Sequence, residues 1–181
     1  MQIHAGEFKG RRIKTVKNAP YRPTTAVVRK SLFDILGNIE NKTFLDLFAG
    51  TGIIGFEAVS RGARKVTIID NSIRVCALLK INYSLFNLSS ESCIIKKYDV
   101  FKFFKEKTKF DIIFADPPYN MNNIDNVIKP ALDMLNSNGY FILESSPRDF
   151  SILPIRIKKY GDTQLAIGKM KHKTVIYPGT L

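Results

Sequence analysis

The stretch that most constrains this chain runs from Asp46 to Gly55 and reads Asp-Leu-Phe-Ala-Gly-Thr-Gly-Ile-Ile-Gly. An apolar strand pattern ends there on closely spaced glycines, and a helical pattern begins at once. Glycines in such a turn permit a tight reversal and let the backbone approach a ligand closely. A strand that feeds a helix in this way opens a βαβ unit, and βαβ units demand a mostly parallel sheet with helices on both faces.

The rest of the chain keeps that alternation. Strands are expected at Thr43 to Phe48, Lys65 to Ile69, Cys93 to Lys97, Ile112 to Ala115 and Tyr140 to Ser145. Helices are expected at Ile53 to Arg61, Ser72 to Phe86 and Asn123 to Leu135, with a short amphipathic stretch from Val100 to Lys105. Before the first strand, Val28, Leu32, Ile35 and Leu36 fall at helical spacing, with Thr24 or Thr25 as the cap and Gly37 as the stop. Gln2 to Val16 reads as a basic hairpin turning at Gly6 and Gly10. From Ile155 to Tyr177 helical periodicity is lost, and antiparallel strands are expected to close the sheet. At 181 residues without repeats or a linker, the reading is one domain over 1–181, with residues 1–20 as its hairpin extension.

Composition narrows the partners. The net charge is +12, and residues 1–30 carry eight basic side chains against one acid, Glu7. That concentration predicts an arm facing a polyanion, because each phosphate neutralised by a basic side chain releases counterion. No run approaches the roughly 18 apolar residues of a membrane span, and the start lacks a signal peptide's basic and apolar regions. A cytoplasmic protein without a membrane partner is expected, a monomer by default. Cys76 and Cys93 read as core residues, and His4 and His172 lack neighbours for a metal site, so no metal is expected.

Three acids mark a candidate site. Asp46 precedes the glycine turn, where a carboxylate would repel a pyrophosphate but hold a cationic amino-acid group. Asp70 ends the second strand, where it can accept from both ribose hydroxyls of either a dinucleotide or another nucleoside cofactor. Asp99 can accept from an adenine amine or simply cap a helix. The fourth strand ends in Asp116-Pro117-Pro118-Tyr119. An exocyclic base amine is a poor nucleophile, since its lone pair is delocalised into the ring. The Asp116 carboxylate and the Pro117 carbonyl can accept its protons, Tyr119 can stack on the base, and the prolines keep that geometry rigid.

The order DLFAGTG, acidic strand end, DPPY resembles class I, Rossmann-like amino-methyltransferases of nucleic acids. More narrowly, Gly6, Lys9-Gly10-Arg11, Arg22-Pro23-Thr24-Thr25, Arg29, Leu32-Phe33, Leu45 to Gly52 and Ser60-Arg61-Gly62-Ala63 resemble the bacterial small-subunit ribosomal RNA guanine-N2 methyltransferases over residues 3 to about 146. The resemblance implies a seven-stranded fold that uses S-adenosylmethionine. It implies a cofactor site from Asp46, Phe48, Gly50, Gly52, Asp70, Asn71, Asp99 and Val100, with catalysis at Asp116, Pro117, Pro118 and Tyr119. Lys9, Arg11, Arg12, Arg22, Thr24 and Arg29 are the expected RNA contacts, and ribosomal RNA or a small-subunit assembly particle the expected partner. Competing readings are a DNA adenine-amino methyltransferase, a dinucleotide-dependent oxidoreductase and a non-catalytic RNA-binding assembly factor.

Overall fold

A computed structural model describes residues 1–15, 24–119, 121, 123–150, 156–171 and 174–175. In chain order the elements are α1 (Ala26–Leu36), β1 (Thr43–Leu47), α2 (Ile53–Ser60), β2 (Lys65–Asp70), α3 (Ile73–Leu85) and β3 (Cys93–Lys97). They continue as α4 (Val100–Phe103), β4 (Phe110–Ala115), α5 (Asp125–Asp133), β5 (Leu135–Ser145), β6 (Arg156–Tyr160), β7 (Thr163–Lys171) and β8 (Thr174–Val175). Seven strands form one sheet in the order β3-β2-β1-β4-β5-β7-β6, and the two-residue β8 pairs with β7. β1 to β5 are mutually parallel, while β7 pairs antiparallel with both β5 and β6.

Period-two alternation sends neighbouring side chains to opposite faces. Along β1, Phe44 joins a core with Val28, Leu32, Phe33 and Phe56 from α1 and α2, whereas Leu45 and Leu47 pack with Val100, Phe103, Val127 and Ile128 from α4 and α5. The helices thus cover both faces. Ser72 caps α3 through the Val75 N–H at 3.4 Å, and Thr25, of the two threonines, caps α1 through Val28 N–H at 3.3 Å. β5 begins five residues earlier than its apolar run suggests. Its first half, Leu135 to Gly139, is interrupted by a register shift against β4 and a left-handed Asn138.

The N-terminal segment has a different construction from a laddered hairpin. Over residues 1–15 it folds back through one antiparallel bridge, Gln2 with Arg12, supported by Ile3 N–H to Arg11 O at 2.9 Å and Gly10 N–H to Ile3 O at 3.0 Å. Other backbone groups of the segment bond to the helices. His4 and Ala5 N–H donate to the Glu57 carboxylate at 2.8 and 3.0 Å, and Phe8 N–H donates to Ser60 Oγ at 2.9 Å. Asn82 on α3 clamps Lys14 from both sides, accepting from its N–H at 2.8 Å and donating to its carbonyl at 3.0 Å. The approach to α2 is so close at Gly6 that an added Cβ would sit 1.7 Å from the Ser60 carbonyl oxygen. Ile3, Phe8 and Ile13 are buried, and Phe8 stacks on Phe86 at 4.9 Å. Residues 1–15 of the basic arm are therefore a fixed ridge on α2 and α3, and residues 16–20 of the expected extension lie outside the described residues.

Candidate active site

The sheet order reverses between β1 and β4: successive strands leave β1 toward β3 on one side and leave β4 toward β5 on the other. Ligands in open α/β sheets bind outside the carboxyl ends of the strands at such a switch point. The cleft found there is partly open to solvent and is lined by Thr24, Asp46, Phe48, Ala49, Gly50, Thr51, Ile53, Ile54, Phe114 and Asp116. Leu47 and Ala115 pair across β1 and β4, so the chain delivers the glycine turn and the Asp116 loop side by side.

Asp46 is 1% exposed, and its Oδ2 accepts from Gly55 N–H at 2.9 Å. Burial pushes its carboxyl well above the usual range, with the nearby Asp70 adding to the rise. Asp70 accepts from Gly50 N–H at 3.0 Å and Ser72 N–H at 2.8 Å, which locks the turn to the end of β2. Its pKa is also raised, chiefly by burial. Asp116 is pushed up to about 8, first by burial, then by the charges of Glu144 and Asp46. A carboxylate held this far up has high affinity for a proton at neutral pH.

The expected cofactor residues take distinct places. Phe48, with φ of 57°, and Gly50 line the cleft. Gly52 serves the turn itself: its φ is 73°, and a Cβ there would meet Leu79 at 2.3 Å. Asn71 is exposed beside Asp70, while the Val100 side chain is in the core under α4, so only its backbone can face a ligand. Asp99 is a helix cap, accepting Lys102 N–H at 2.9 Å through Oδ1. Pro117 is buried, Pro118 exposed, and Tyr119 41% exposed.

The expected RNA contacts need two corrections. Arg29 is 2% exposed, makes an ion pair with Glu57 at 3.8 Å, and donates to Gln2 O at 2.8 Å and His4 Nε2 at 2.6 Å. It ties α1 to the arm and α2 and offers no surface to RNA. Thr24 is also buried, lines the cleft beside Asp116, and donates to Glu144 Oε2 at 2.9 Å. Arg11 is exposed, but its guanidinium lies over Phe86 at 4.8 Å and Phe8 at 5.3 Å and donates to the Leu85 carbonyl. Lys9 and Arg12 are exposed, and Arg22 lies outside the described residues.

Two residues near the cleft were not singled out in the sequence. Glu144, buried at the end of β5, stands one position beyond the Ala115–Leu143 pair and therefore beside Asp116. A charged residue closing the apolar run Phe141-Ile142-Leu143 is the signal that could have exposed it. Arg148 donates to Tyr119 O and Met121 O, each at 3.4 Å, and so braces the loop after the two prolines. Cys76 and Cys93 are buried free thiols. Among the described residues, no group of three or more His, Cys, Asp or Glu side chains is placed to hold a metal, and no helix is long and apolar enough to cross a membrane.

A nucleoside cofactor can be tested against this donor set. Two acids, the buried Asp46 and the half-buried Asp116, line the cleft, and Asp70 holds its glycine turn. A cationic ligand would restore the charge of these raised carboxyls and be held by it, whereas phosphates would find no cation among the described residues that line the cleft, which counts against a dinucleotide. Such a set suits a ligand with a cationic amino-acid tail, a cationic sulfur and a ribose diol.

The family profile described as conserved hypothetical protein 95 matches residues 1–169. The ribosomal RNA small subunit methyltransferase D of Haemophilus influenzae is 34% identical over 144 residues, 77% of this chain and 72% of that protein. The protein of the same name from Escherichia coli K12 is 31% identical over 147 residues, covering 80% and 71%. Among solved structures, an Escherichia coli protein provisionally described as the methyltransferase yhhF superposes with a TM-score of 0.84 at 26% identity, over 94% of this chain and 98% of that one. A Thermus thermophilus 16S rRNA N2 methyltransferase in complex with AdoMet and guanosine shares the fold, with a TM-score of 0.69 at 19% identity over 86% of this chain and 45% of its own.

Proposed function

The chain belongs to the family of conserved hypothetical protein 95 and of the ribosomal RNA small subunit methyltransferases D, and from that premise we propose that it methylates the exocyclic N2 amine of a guanine in small-subunit ribosomal RNA, using S-adenosylmethionine. The observation that carries this reading is the meeting of Asp46 and the Asp116 loop at one switch point, in an acid-lined cleft. The work is cytoplasmic, where ribosomal RNA is assembled, and the chain acts as one methyltransferase domain.

When bound, S-adenosylmethionine supplies an activated methyl group on a cationic sulfur that departs as a neutral sulfide. Asp46 and the turn around Gly50 hold the amino-acid end, Asp70 with Asn71 holds the ribose, and Asp99 with the Val100 backbone borders the base. Asp116 accepts one proton of the target amine as nitrogen takes the methyl carbon, and the Pro117 carbonyl accepts from the other N–H. Tyr119 stacks on the guanine and fixes the angle of the amine. Pro118 stiffens the loop. Positioning of this kind contributes up to roughly 7–11 kcal/mol to lowering a barrier in favourable cases. Lys9, Arg12 and Arg22 meet phosphates of the RNA. Arg11 takes part through the outer edge of a guanidinium already stacked on Phe86.

The test is methyl transfer in vitro from labelled S-adenosylmethionine to small-subunit ribosomal RNA lacking the modification, offered naked and as an assembled particle, followed by nucleoside digestion. Label in N2-methylguanosine is expected. Label in methylated adenine, or cofactor binding without transfer to either substrate, would refute it.

A further inference from the structure

The net charge of the chain is held at its two ends. Residues 31–154 carry fourteen basic and fourteen acidic side chains, whereas residues 155–181 carry six basic side chains against one acid, Asp162. Of the N-terminal cations, Lys9, Arg11, Arg12 and Lys14 belong to the ridge on α2 and α3. The C-terminal share lies on another part of the molecule.

Three of its cations, Arg156, Lys158 and Lys159, stand within four consecutive residues of β6, the last strand of the sheet. Arg156 pairs with Ile167 and Lys158 with Leu165, both members of the core under α1, while Ile157 pairs with Ala166 of the opposite core. Paired residues of neighbouring strands share a face. Arg156 and Lys158 therefore flank the edge on the α1 side, and Lys159 flanks it on the other. Arg156 and Lys159 are exposed, and Lys158 is half-buried. Among the described residues, none of the three has an ion-pair partner. Asp34 on α1 feels the Lys158 charge, but Lys30 already holds its carboxylate at 2.7 Å.

Lysine on an edge strand deters pairing with another chain, a role that glutamate fills as well. What an all-cation edge adds is attraction for a polyanion, which relieves the mutual repulsion of the three charges and releases counterion. The register also fixes where this edge lies. Lys158 is level with Leu165, Leu165 with Glu144, and Glu144 follows Leu143, the partner of Ala115. Lys158 is thus level with Asp116, three strand spacings or about 14 Å away.

We propose that the β6 edge is a second RNA-binding surface, where Arg156, Lys158 and Lys159 neutralise phosphates of nucleotides flanking the base held at Asp116. The choice of partner rests on the methyltransferase reading, whereas the place of contact rests on charge and register.

The test is binding of the full-length chain to unmodified small-subunit ribosomal RNA between about 50 and 200 mM salt. Three proteins are compared: the unaltered chain, Arg156→Gln/Lys158→Gln/Lys159→Gln, and Lys105→Gln/Lys107→Gln/Lys129→Gln, which removes the same charge from exposed positions elsewhere. In the β6 variant the slope of log affinity against log salt is expected to fall by about 2, at about 0.7 per single-strand phosphate and 0.9 per duplex phosphate, with affinity down about tenfold or more. The KM for RNA should rise with it, while kcat, the affinity for S-adenosylmethionine and the melting temperature stay near those of the unaltered chain. The other triple variant should keep the original slope. Equal losses in the two triple variants would overturn the proposal, because net charge alone would then account for binding; so would an unmoved slope in the β6 variant. If the β6 triple variant does not fold, Lys159→Gln alone must lower the slope by about 0.7–0.9, and an unmoved slope there overturns the proposal. RNA bound through β6 but not methylated by the unaltered chain would sink the functional reading and leave the contact standing, whereas RNA not bound at all would overturn both.

Discussion

Replacing Glu57 by alanine should be the most damaging single substitution outside the cleft. The side chain is 0% exposed and anchors the N-terminal segment. It accepts His4 and Ala5 N–H at 2.8 and 3.0 Å, Arg61 Nε and Nη2 each at 2.9 Å, and lies 3.8 Å from buried Arg29. Removing one partner of a buried ion pair costs about 3–5 kcal/mol, because the other charge is left uncompensated. Each orphaned buried N–H costs about 1–3 kcal/mol more, although water reaching the cavity offsets part of that. We take about 4 kcal/mol as the net loss. With an unfolding entropy of roughly 2.1 cal/mol/K per residue, a chain of this size loses about 0.38 kcal/mol per degree near its midpoint. The melting temperature should therefore drop by about 10 °C in scanning calorimetry. Because the arm is held by this carboxylate, trypsin should cut at Lys9, Arg11 and Arg12 well below the melting transition in Glu57→Ala but not in the unaltered protein. A drop under about 3 °C with the arm still resistant would refute the assignment of Glu57 as its anchor.

Three further outcomes follow from the site. Asp116→Ala should lower turnover by about two to four orders of magnitude and leave the calorimetric affinity for S-adenosylmethionine within a few-fold; unchanged turnover would remove Asp116 as the proton acceptor. Turnover should rise with pH through about 8 as Asp116 ionises, and stability should show the opposite trend. A carboxyl raised in the folded state contributes stability that is present below its unfolded pKa of roughly 4 and lost as pH rises through the folded value; Asp116→Asn should flatten that slope in melts recorded between pH 5 and 9. Replacing Lys9 and Arg12 by alanine should reduce the salt dependence of RNA binding by about 0.7–0.9 for each phosphate no longer neutralised, and an unchanged slope would take the ridge out of the interface.

The sheet was legible because its signals are local. Apolar runs of strand length alternate with helical periods, and Asp46 to Gly55 announces the turn at the switch point. Asp116 to Tyr119 was legible for the same reason: four consecutive residues bear the chemistry. What escaped depends on partners distant in the chain. Arg29 carries a charge that pattern reasoning assigns to a surface, and only the folded chain brings Glu57 to it, 28 residues later. Thr24 reads as a helix cap until β5 places Glu144 opposite, 120 residues on. The start of β5 hid behind Asn136-Ser137-Asn138-Gly139, a turn-like string that the strand absorbs through a register shift and a left-handed asparagine. Gly6 and Gly10 were legible as turns, but α2 supplied the bonds that a second strand would have made. At Asp99 the alternatives were a cap and a ligand contact; the cap is present, with one carboxylate oxygen still beyond it.

The central claim is tested most directly by nucleoside mass spectrometry of small-subunit ribosomal RNA from cells with and without this gene, complemented by the unaltered chain or by Asp116→Ala. The account predicts that one N2-methylguanosine disappears on deletion, returns with the unaltered chain and stays absent with the variant. An identical nucleoside profile in all four samples would contradict it.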